Sequence, residues 1–304
     1  MSFHRFSLVT QDVNLSPAEN KLQKVFLEHG SQPVWEKLRG YPFSAWSCLI
    51  EISDENNFPL TDDENFPLKV ITVASEIGFI ATHLSGELAH SGPKLIITDV
   101  DSTFIQQEVI ELLAAHAGLE AEVKEITDAA MRGELDFRDS LRERVSVLAG
   151  LPESIFKDVF QQIKLTPGAQ ELVQIAHRQG AYIGLVSGGF TEILNPLLEQ
   201  ESLDFGRANQ LEIHEGKLSG KTIGTIIDAT AKVLALKEWS ENLGITLAET
   251  VCAGDGANDL PMLEASGHGF AFCAKPIVAQ NADTAITFQR LDIVTALCGW
   301  HGII

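Results

Sequence analysis

Cysteine is scarce in this sequence: Cys48, Cys252, Cys273 and Cys298 are all there is in 304 residues. None forms a C-x-x-C pair, and the spacings build no disulfide framework. That excludes a disulfide-stapled scaffold and suits free thiols in a reducing compartment. Basic residues are also in short supply, 22 Lys and Arg against 42 Asp and Glu, for a net charge of −20. Such a balance argues against nucleic acid and anionic membrane surfaces as general partners. Long apolar runs are missing as well. The final IVTALCGWHGII is uncharged but too short to cross a bilayer, and is expected to pack as a last helix and tail. The opening MSFHRFSLVTQDV has no apolar h-region, so no signal peptide is expected and a cytoplasmic location is.

What is present is enough for a folded protein. Apolar residues make up 45% of the chain, and its length allows two domains with a sizeable core. The acidic balance sets one condition. If the ligand is an anion, the site must carry its own positive charge.

Residues 1–92 read as one unit. Ser16-Pro17-Ala18-Glu19 is a helix start, with a serine cap, a proline at the first position and a glutamate closing a capping box. That helix should stop at Gly30. Residues 46–52 and 68–74 read as strands. Between them the near-duplicates DENNFPL (54–60) and DENFPL (63–68) read as a solvated acidic loop. The order strand, helix, strand, strand, helix fits a small N-terminal α+β domain without a catalytic cluster.

Ser91-Gly92-Pro93 then punctuates the chain, and beyond it strands alternate with helices. Strands are expected at 95–100, 182–186, 250–253 and 270–272. Helices are expected at 106–117, from Thr166-Pro167 to Gly180, and at 190–200, 231–243 and 257–265. This is the pattern of an α/β protein, a Rossmann-like parallel sheet with helices on both faces, over residues 93–304. Residues 112–165 lack strands and are too long for a connection, so they read as an inserted helical cap. RANQLEIHEGKLSG (207–220) reads as a hairpin turning at Glu215-Gly216.

The stretch LIITDVDSTF (95–104) pushes two carboxylates, Asp99 and Asp101, out of the end of an apolar strand. Like charges so close are unfavourable unless something positive lies between them. Two more strand ends supply related chemistry: Ser187-Gly188-Gly189, and Gly254-Asp255-Gly256-Ala257-Asn258-Asp259. Glycine N–H groups and helix N-termini favour phosphate. Carboxylates from two strands favour a hard divalent cation, with Mg²⁺ the usual choice beside phosphate. Each signal alone is more often a plain turn. Together, in order and each at a strand end, they point to one site.

The series DVDST, VSGG, a lysine and GDGAND resembles the motifs of the haloacid dehalogenase superfamily. Within it, DVDSTFIQQEVIELLA, AMRGELDFRDSLRERV and AGDGANDLPML resemble the signatures of the phosphoserine phosphatase family. The resemblance covers about residues 93–304 and leaves 1–92 outside it. It implies Asp99 as nucleophile, forming an aspartyl-phosphate, and Asp101 as general acid and base. It implies Mg²⁺ on Asp99, Asp255 and the Asp101 backbone carbonyl, with Asp259 supporting the metal and lysine. Ser187, the Gly188 N–H and Asn258 are implied as phosphate and substrate contacts. Among Lys221, Lys232 and Lys237, the family spacing selects Lys232, in the first turn of its helix after DATA. The other two read as solvated charges.

Selectivity is expected from the cap. Phe137, Leu141, Val145 and Leu148 form an apolar stripe, and Arg144 shares its face. Arg138 and Arg142 fall away from that face and are expected in solvent. The resemblance makes Arg144 a carboxylate clamp, Glu108 the partner of an ammonium group, and Met131 and Phe137 apolar lid residues. The expected activity is Mg²⁺-dependent hydrolysis of O-phospho-L-serine to L-serine and phosphate, the last step of serine biosynthesis. The alternatives are a phosphatase for another small phosphomonoester, or an amino-acid sensor whose catalytic domain is idle. O-phosphoserine is the expected partner, with no nucleic acid and no membrane. A homodimer is left open, as is a regulatory role for residues 1–92.

Overall fold

The computed structural model describes residues 2–12, 16–17, 20–52, 65–131 and 136–303, with the backbone alone for 128–131. Its first sheet is antiparallel. It is built by β1 (Ser2–Thr10), α1 (Asn20–Glu28), β2 (Glu36–Leu38), β3 (Ser44–Ile52), α2 (Phe66–Glu76), β4 (Ile80–Ser85) and α3 (Gly86–Ser91). The strand order is β2-β3-β1-β4, with β1 paired antiparallel to both β3 and β4. Leu22 and Phe26 of α1 and Phe66, Val70 and Ala74 of α2 cover one face and meet Phe6 and Leu8 there.

The segment 68–74 is therefore helix, not strand. Its β-branched residues favour extended chain in isolation. Tertiary packing overrides that preference: Phe66, Val70 and Ala74 recur every four residues and are buried, whereas Leu68 is 63% exposed. Pro67, in the first turn of α2, fits a helix start rather than the expected turn. β2 and β4 are further elements that the sequence pattern did not reveal. The acidic stretch 53–64 lies outside the described residues, as do Ala18 and Glu19 of the expected helix start. The helix itself is described from Asn20.

The second sheet has seven strands. In chain order the elements are β5 (Leu95–Thr98), α4 (Val109–Ala117), α5 (Glu120–Met131), α6 (Phe137–Val147), α7 (Ile155–Phe160), α8 (Ala169–Arg178), β6 (Tyr182–Phe190), α9 (Thr191–Glu201), β7 (Phe205–His214) and β8 (Lys217–Ile223). They continue as α10 (Ala229–Leu243), β9 (Thr250–Gly254), α11 (Leu260–Ala265), β10 (His268–Phe272), α12 (Pro276–Asn281), β11 (Thr284–Ile286) and α13 (Ile293–Leu297). The order is β11-β10-β9-β5-β6-β7-β8, parallel except for the β7–β8 hairpin. Glu215 and Gly216 both take positive φ at its tip, as a two-residue hairpin turn requires.

β5 is central and wholly buried. Ile96 packs into the core on one face, and Leu95 and Ile97 into the core on the other. A parallel strand covered on both faces needs this continuous apolar run. The chain end beyond it is where a ligand can reach the sheet.

The connection from β5 to α8 carries α4 to α7. α6 lies over β8, and main-chain bonds tie the segment after it to the hairpin: Gly150 N to Leu218 O at 2.8 Å, and Leu218 N to Leu151 O at 2.9 Å. The two sheets share one apolar core, in which Val9, Phe43, Leu84 and Leu88 cluster with Ile96, Phe270 and Trp300, and polar contacts and the C-terminal tail join them as well. Thr82 Oγ1 lies 3.0 Å from His268 Nε2, the Tyr41 hydroxyl donates to Trp300 O at 3.0 Å, and Gly302 N to Arg39 O at 2.7 Å. Among the described residues, no helix is long and apolar enough to cross a membrane.

Candidate active site

The end of β5 delivers Asp99, only 6% exposed, with its backbone N–H on Ala253 O of β9. Its Oδ1 accepts from Lys232 Nζ at 2.5 Å. Lys232 is completely buried and makes a second 2.5 Å bond to Asp259 Oδ1. It sits in the first turn of α10, whose N-cap Asp228 accepts from Ala231 N at 3.0 Å. Burial works against the Lys232 charge, but Asp259 and Asp99 outweigh it and hold the ammonium above its ordinary pKa. The Asp99 carboxyl is pushed well up, first by burial and then by Asp259, against the opposing pull of Lys232.

Carboxylate oxygens of Asp99, Asp255 and Asp259 lie within 4.8 Å of one another. Asp259 is already committed, Oδ1 to Lys232 and Oδ2 to Gly256 N at 3.0 Å. That suits the supporting role expected of it. Asp255 has only a long bond from Thr103 Oγ1, at 3.4 Å, among its described side-chain hydrogen bonds. Burial, then Asp259 and Glu108, push its carboxyl up to about 6. Lys232 and Lys275 thus face more negative charge than they can balance. An all-oxygen donor set with that surplus fits a hard divalent cation.

Asp101 follows one residue later. Its Oδ1 accepts from Val109 N at 2.8 Å and its Oδ2 from Ser187 Oγ at 3.0 Å. Burial, then Glu108, push it up to about 6. The bond to Val109 explains why α4 starts at Val109 rather than at 106. The chain first turns back, with Ser102 at φ 57° and Glu108 extended at the N-cap position. Likewise α11 starts at Leu260 rather than 257, because Asp259 folds residues 256–259 into a loop and Pro261 fits a first turn.

The second strand end belongs to β6. Gly189 N donates to Ser187 Oγ at 2.7 Å. A Cβ on Gly189 would come within 2.8 Å of Asp101 Oδ2, so glycine is needed for the close approach. Asn209, missed in the sequence, holds this loop. Its Nδ2 donates to Gly188 O at 2.8 Å and its Oδ1 accepts from Ile227 N at 2.8 Å. The available signal was a polar residue in the middle of an otherwise strand-like run.

A cavity of about 150 Å³ gathers most of the expected residues. Asp99, Asp101, Glu108, Phe137, Arg144, Gly188, Asp255 and Asn258 line it. Ser187, Lys232 and Asp259 stand behind, acting through Asp101, Asp99 and Gly256. Glu108 Oε1 accepts from Ser102 Oγ at 2.8 Å. The Arg144 guanidinium makes one long bond, Nε to Ser140 O at 3.3 Å. Burial holds its pKa below the ordinary value, and Glu108, Glu111 and Asp101 partly offset that. Met131 ends α5, and its side chain lies outside the described residues. Lys275 also lines the cavity, as do Ile110, Leu141 and Phe190, and none of these was singled out as a site residue from the sequence. Lys275 precedes Pro276 at the N-cap of α12, a position with no motif value of its own.

Both arginines expected in solvent are exposed there, Arg142 at 62% and paired with Asp139, and Arg138 at 52%. Arg138 is not free: its Nε donates to Asp228 Oδ2 at 2.7 Å. Periodicity within one helix cannot reveal a partner on another element.

A parallel sheet with acidic residues, a buried lysine and a glycine loop at its strand ends defines a class. The family model described as haloacid dehalogenase-like hydrolase matches residues 96–264, and the chain belongs to that hydrolase family. It is 51% identical over 193 residues to a phosphoserine phosphatase of Streptococcus thermophilus, covering 64% of this chain and 90% of that one. It is 47% identical over 244 residues to a phosphoserine phosphatase of Streptomyces coelicolor, covering 80% of this chain and 60% of that protein's length. A haloacid dehalogenase-family hydrolase from Salmonella enterica serovar Typhi has a similar structure, with 27% identity and a TM-score of 0.79, covering 98% of this chain and 99% of that one.

Proposed function

We propose that this chain hydrolyses O-phospho-L-serine to L-serine and phosphate, the last step of serine biosynthesis. The supporting observation is one cavity with Asp99 and Asp101 beside two opposite charges, Glu108 and Arg144. A phosphorylated amino acid presents a phosphate, an ammonium and a carboxylate. The anionic carboxylate fits Arg144 and the ammonium fits Glu108.

Asp99 attacks phosphorus, its carboxylate oxygen forming the new bond as the bond to the serine oxygen breaks. Asp101 gives its proton to that leaving oxygen. Its raised pKa of about 6 favours holding the proton until then. In the second half, Asp101 takes a proton from water, and the water oxygen displaces Asp99 from the phosphoryl group. Lys232 keeps a fixed positive charge against Asp99 throughout. The Gly188 N–H and Asn258 bind phosphoryl oxygens. The Ser187 hydroxyl, whose one proton goes to Asp101 here, joins them by turning that proton to a phosphoryl oxygen. Mg²⁺ on Asp99, Asp255 and the Asp101 carbonyl would shield the nucleophile from the negative charge of the substrate.

Residues 1–92 form a separate unit in this reading, with a regulatory or dimerising role, and the 93–304 unit with its cap carries the chemistry. The free cysteines suit a cytoplasmic location. The deciding experiment is phosphate release from phosphoserine, phosphothreonine, phosphoethanolamine and glycerol phosphate, with and without Mg²⁺. Phosphoserine should be preferred clearly and only with the metal. Equal rates on glycerol phosphate would point to a general phosphomonoesterase.

A further inference from the structure

We propose that Arg138 is a positioning residue that latches the helical cap over the site through Asp228. This rests on the phosphatase reading above. Arg138 lies in the first turn of α6, and Asp228 is the N-cap of α10. Arg138 Nε donates to Asp228 Oδ2 at 2.7 Å, and a second guanidinium nitrogen lies 2.5 Å from the same oxygen. The other Asp228 oxygen accepts from Ala231 N at 3.0 Å, and its carbonyl accepts from Lys232 N at 3.0 Å. One residue therefore joins the start of the helix that carries Lys232 to the start of the helix that carries Phe137 and Arg144. Burial pushes the Asp228 carboxyl up, but the Ala231 N–H and Arg138 together bring it below the ordinary range.

α6 is held differently at its two ends. Beyond its C-terminus, Gly150 N donates to Leu218 O and Leu218 N donates to Leu151 O. Gly220 packs so closely that a Cβ there would come within 2.9 Å of the Ala149 side chain. Its first turn meets the core through the Phe137 ring, close against Gly188, and through the Arg138–Asp228 pair. Side-chain contacts release more readily than a backbone ladder, so the helix can pivot about its C-terminal end. Such a pivot lifts Phe137, at the free end, away from Gly188 and opens the site, while Arg144, in the last turn, moves less. The pair also sits on the rim of the route inward. Arg138 and Asp228 line a groove together with Phe137, Arg144, Asn258 and Lys275, and these last four also line the cavity.

Arg138 is 52% exposed on its side chain and Asp228 16%. A half-exposed pair biases an equilibrium by only a few-fold. That suits a device that must open in every turnover. Its loss should shift the closed population and not the chemistry, so apparent affinity should fall while the reacting groups stay in place.

The experiment uses the full chain with Mg²⁺. Arg138→Met keeps the stem and removes the charge; Arg138→Lys restores charge without the fork. Two readouts are taken: kcat and KM for phosphoserine, and amide hydrogen exchange across α6 and α10 without substrate. Arg138→Met should raise KM about two- to fivefold, with kcat equal to or above wild type. It should also speed exchange in α6 by a similar factor while leaving α10 unchanged, and Arg138→Lys should recover part of both effects. Unchanged exchange in α6, or a fall in kcat with KM constant, would overturn the latch. If the wild-type protein fails to hydrolyse phosphoserine, the proposed activity is wrong, and the exchange comparison still decides whether Arg138 holds the cap.

Discussion

Lys232 Nζ stands 2.5 Å from Asp99 Oδ1, although 133 residues of chain separate them. The ammonium is completely buried and shared with Asp259 at the same distance. A charge in such a place is tolerated only because it is paired on two sides. It fixes Asp99 in one orientation and lowers the repulsion an incoming anion meets there.

Lys232→Met should abolish turnover and also destabilise the protein by about 3–5 kcal/mol, because it leaves buried carboxylates uncompensated. Adding Asp259→Asn should restore much of that stability and none of the activity. Denaturant melts of the single and double variants, alongside phosphate release, test this. Equal stability of wild type and Lys232→Met would refute the account of the pair.

Stability of the metal-free protein should fall as pH rises from about 4 to about 7. Asp101 and Asp255 have folded pKa values near 6, above the ordinary 3.8, so the folded state holds more protons across that window. Their contribution is complete below the unfolded value and is lost as pH rises through the folded one, on the order of 3 kcal/mol per group at most. Mg²⁺ should reverse the loss above pH 7 by balancing the ionised cluster. Thermal melts across pH, with EDTA or with Mg²⁺, read this out. A metal-free protein whose melting temperature rises steadily over that window would contradict it.

Arg144→Ala should depress kcat/KM for phosphoserine far more than for phosphoethanolamine, which has no carboxylate. Glu108→Gln should show the converse and spare substrates without an ammonium. Leaving a charged substrate group unpaired in the cavity should cost on the order of 2–5 kcal/mol. If Arg144→Ala lowers both substrates by the same factor, the arginine is not the carboxylate clamp.

A chain starting at Gly92 should retain phosphate release but lose thermal stability. The C-terminal tail binds the first unit through Gly302 N to Arg39 O and the Tyr41 hydroxyl to Trp300 O. Truncation removes those partners and uncovers the buried Trp300. Melting temperature and turnover at 25 °C separate the two effects. A folded truncation with bound Mg²⁺ and no turnover would give residues 1–92 a part in the chemistry.

Legibility differed sharply between the two sheets. Beyond Gly92 the strands other than the short edge strand β11 were visible because a doubly covered parallel sheet demands apolar runs ended by glycine or aspartate, as in β5 and β9. In the first unit, α2 was misread because LKVITVA has the composition of a strand. Only the sheet beneath it, which buries Phe66, Val70 and Ala74, makes it a helix.

The sequence by itself determined which residue types stand at three strand ends. DVDST, VSGG and GDGAND fix short-range geometry that each segment carries on its own. It also determined that an acidic chain needs a local positive charge. It could not decide what joins across the fold. That Asp259 saturates both oxygens on Lys232 and Gly256, that Asn209 pins the glycine loop, that Lys275 reaches the cavity and that Arg138 meets Asp228 were settled by tertiary structure. The reason is physical. A carboxylate or guanidinium has no intrinsic partner, and its pairing depends on which distant element the packed core brings within about 3 Å.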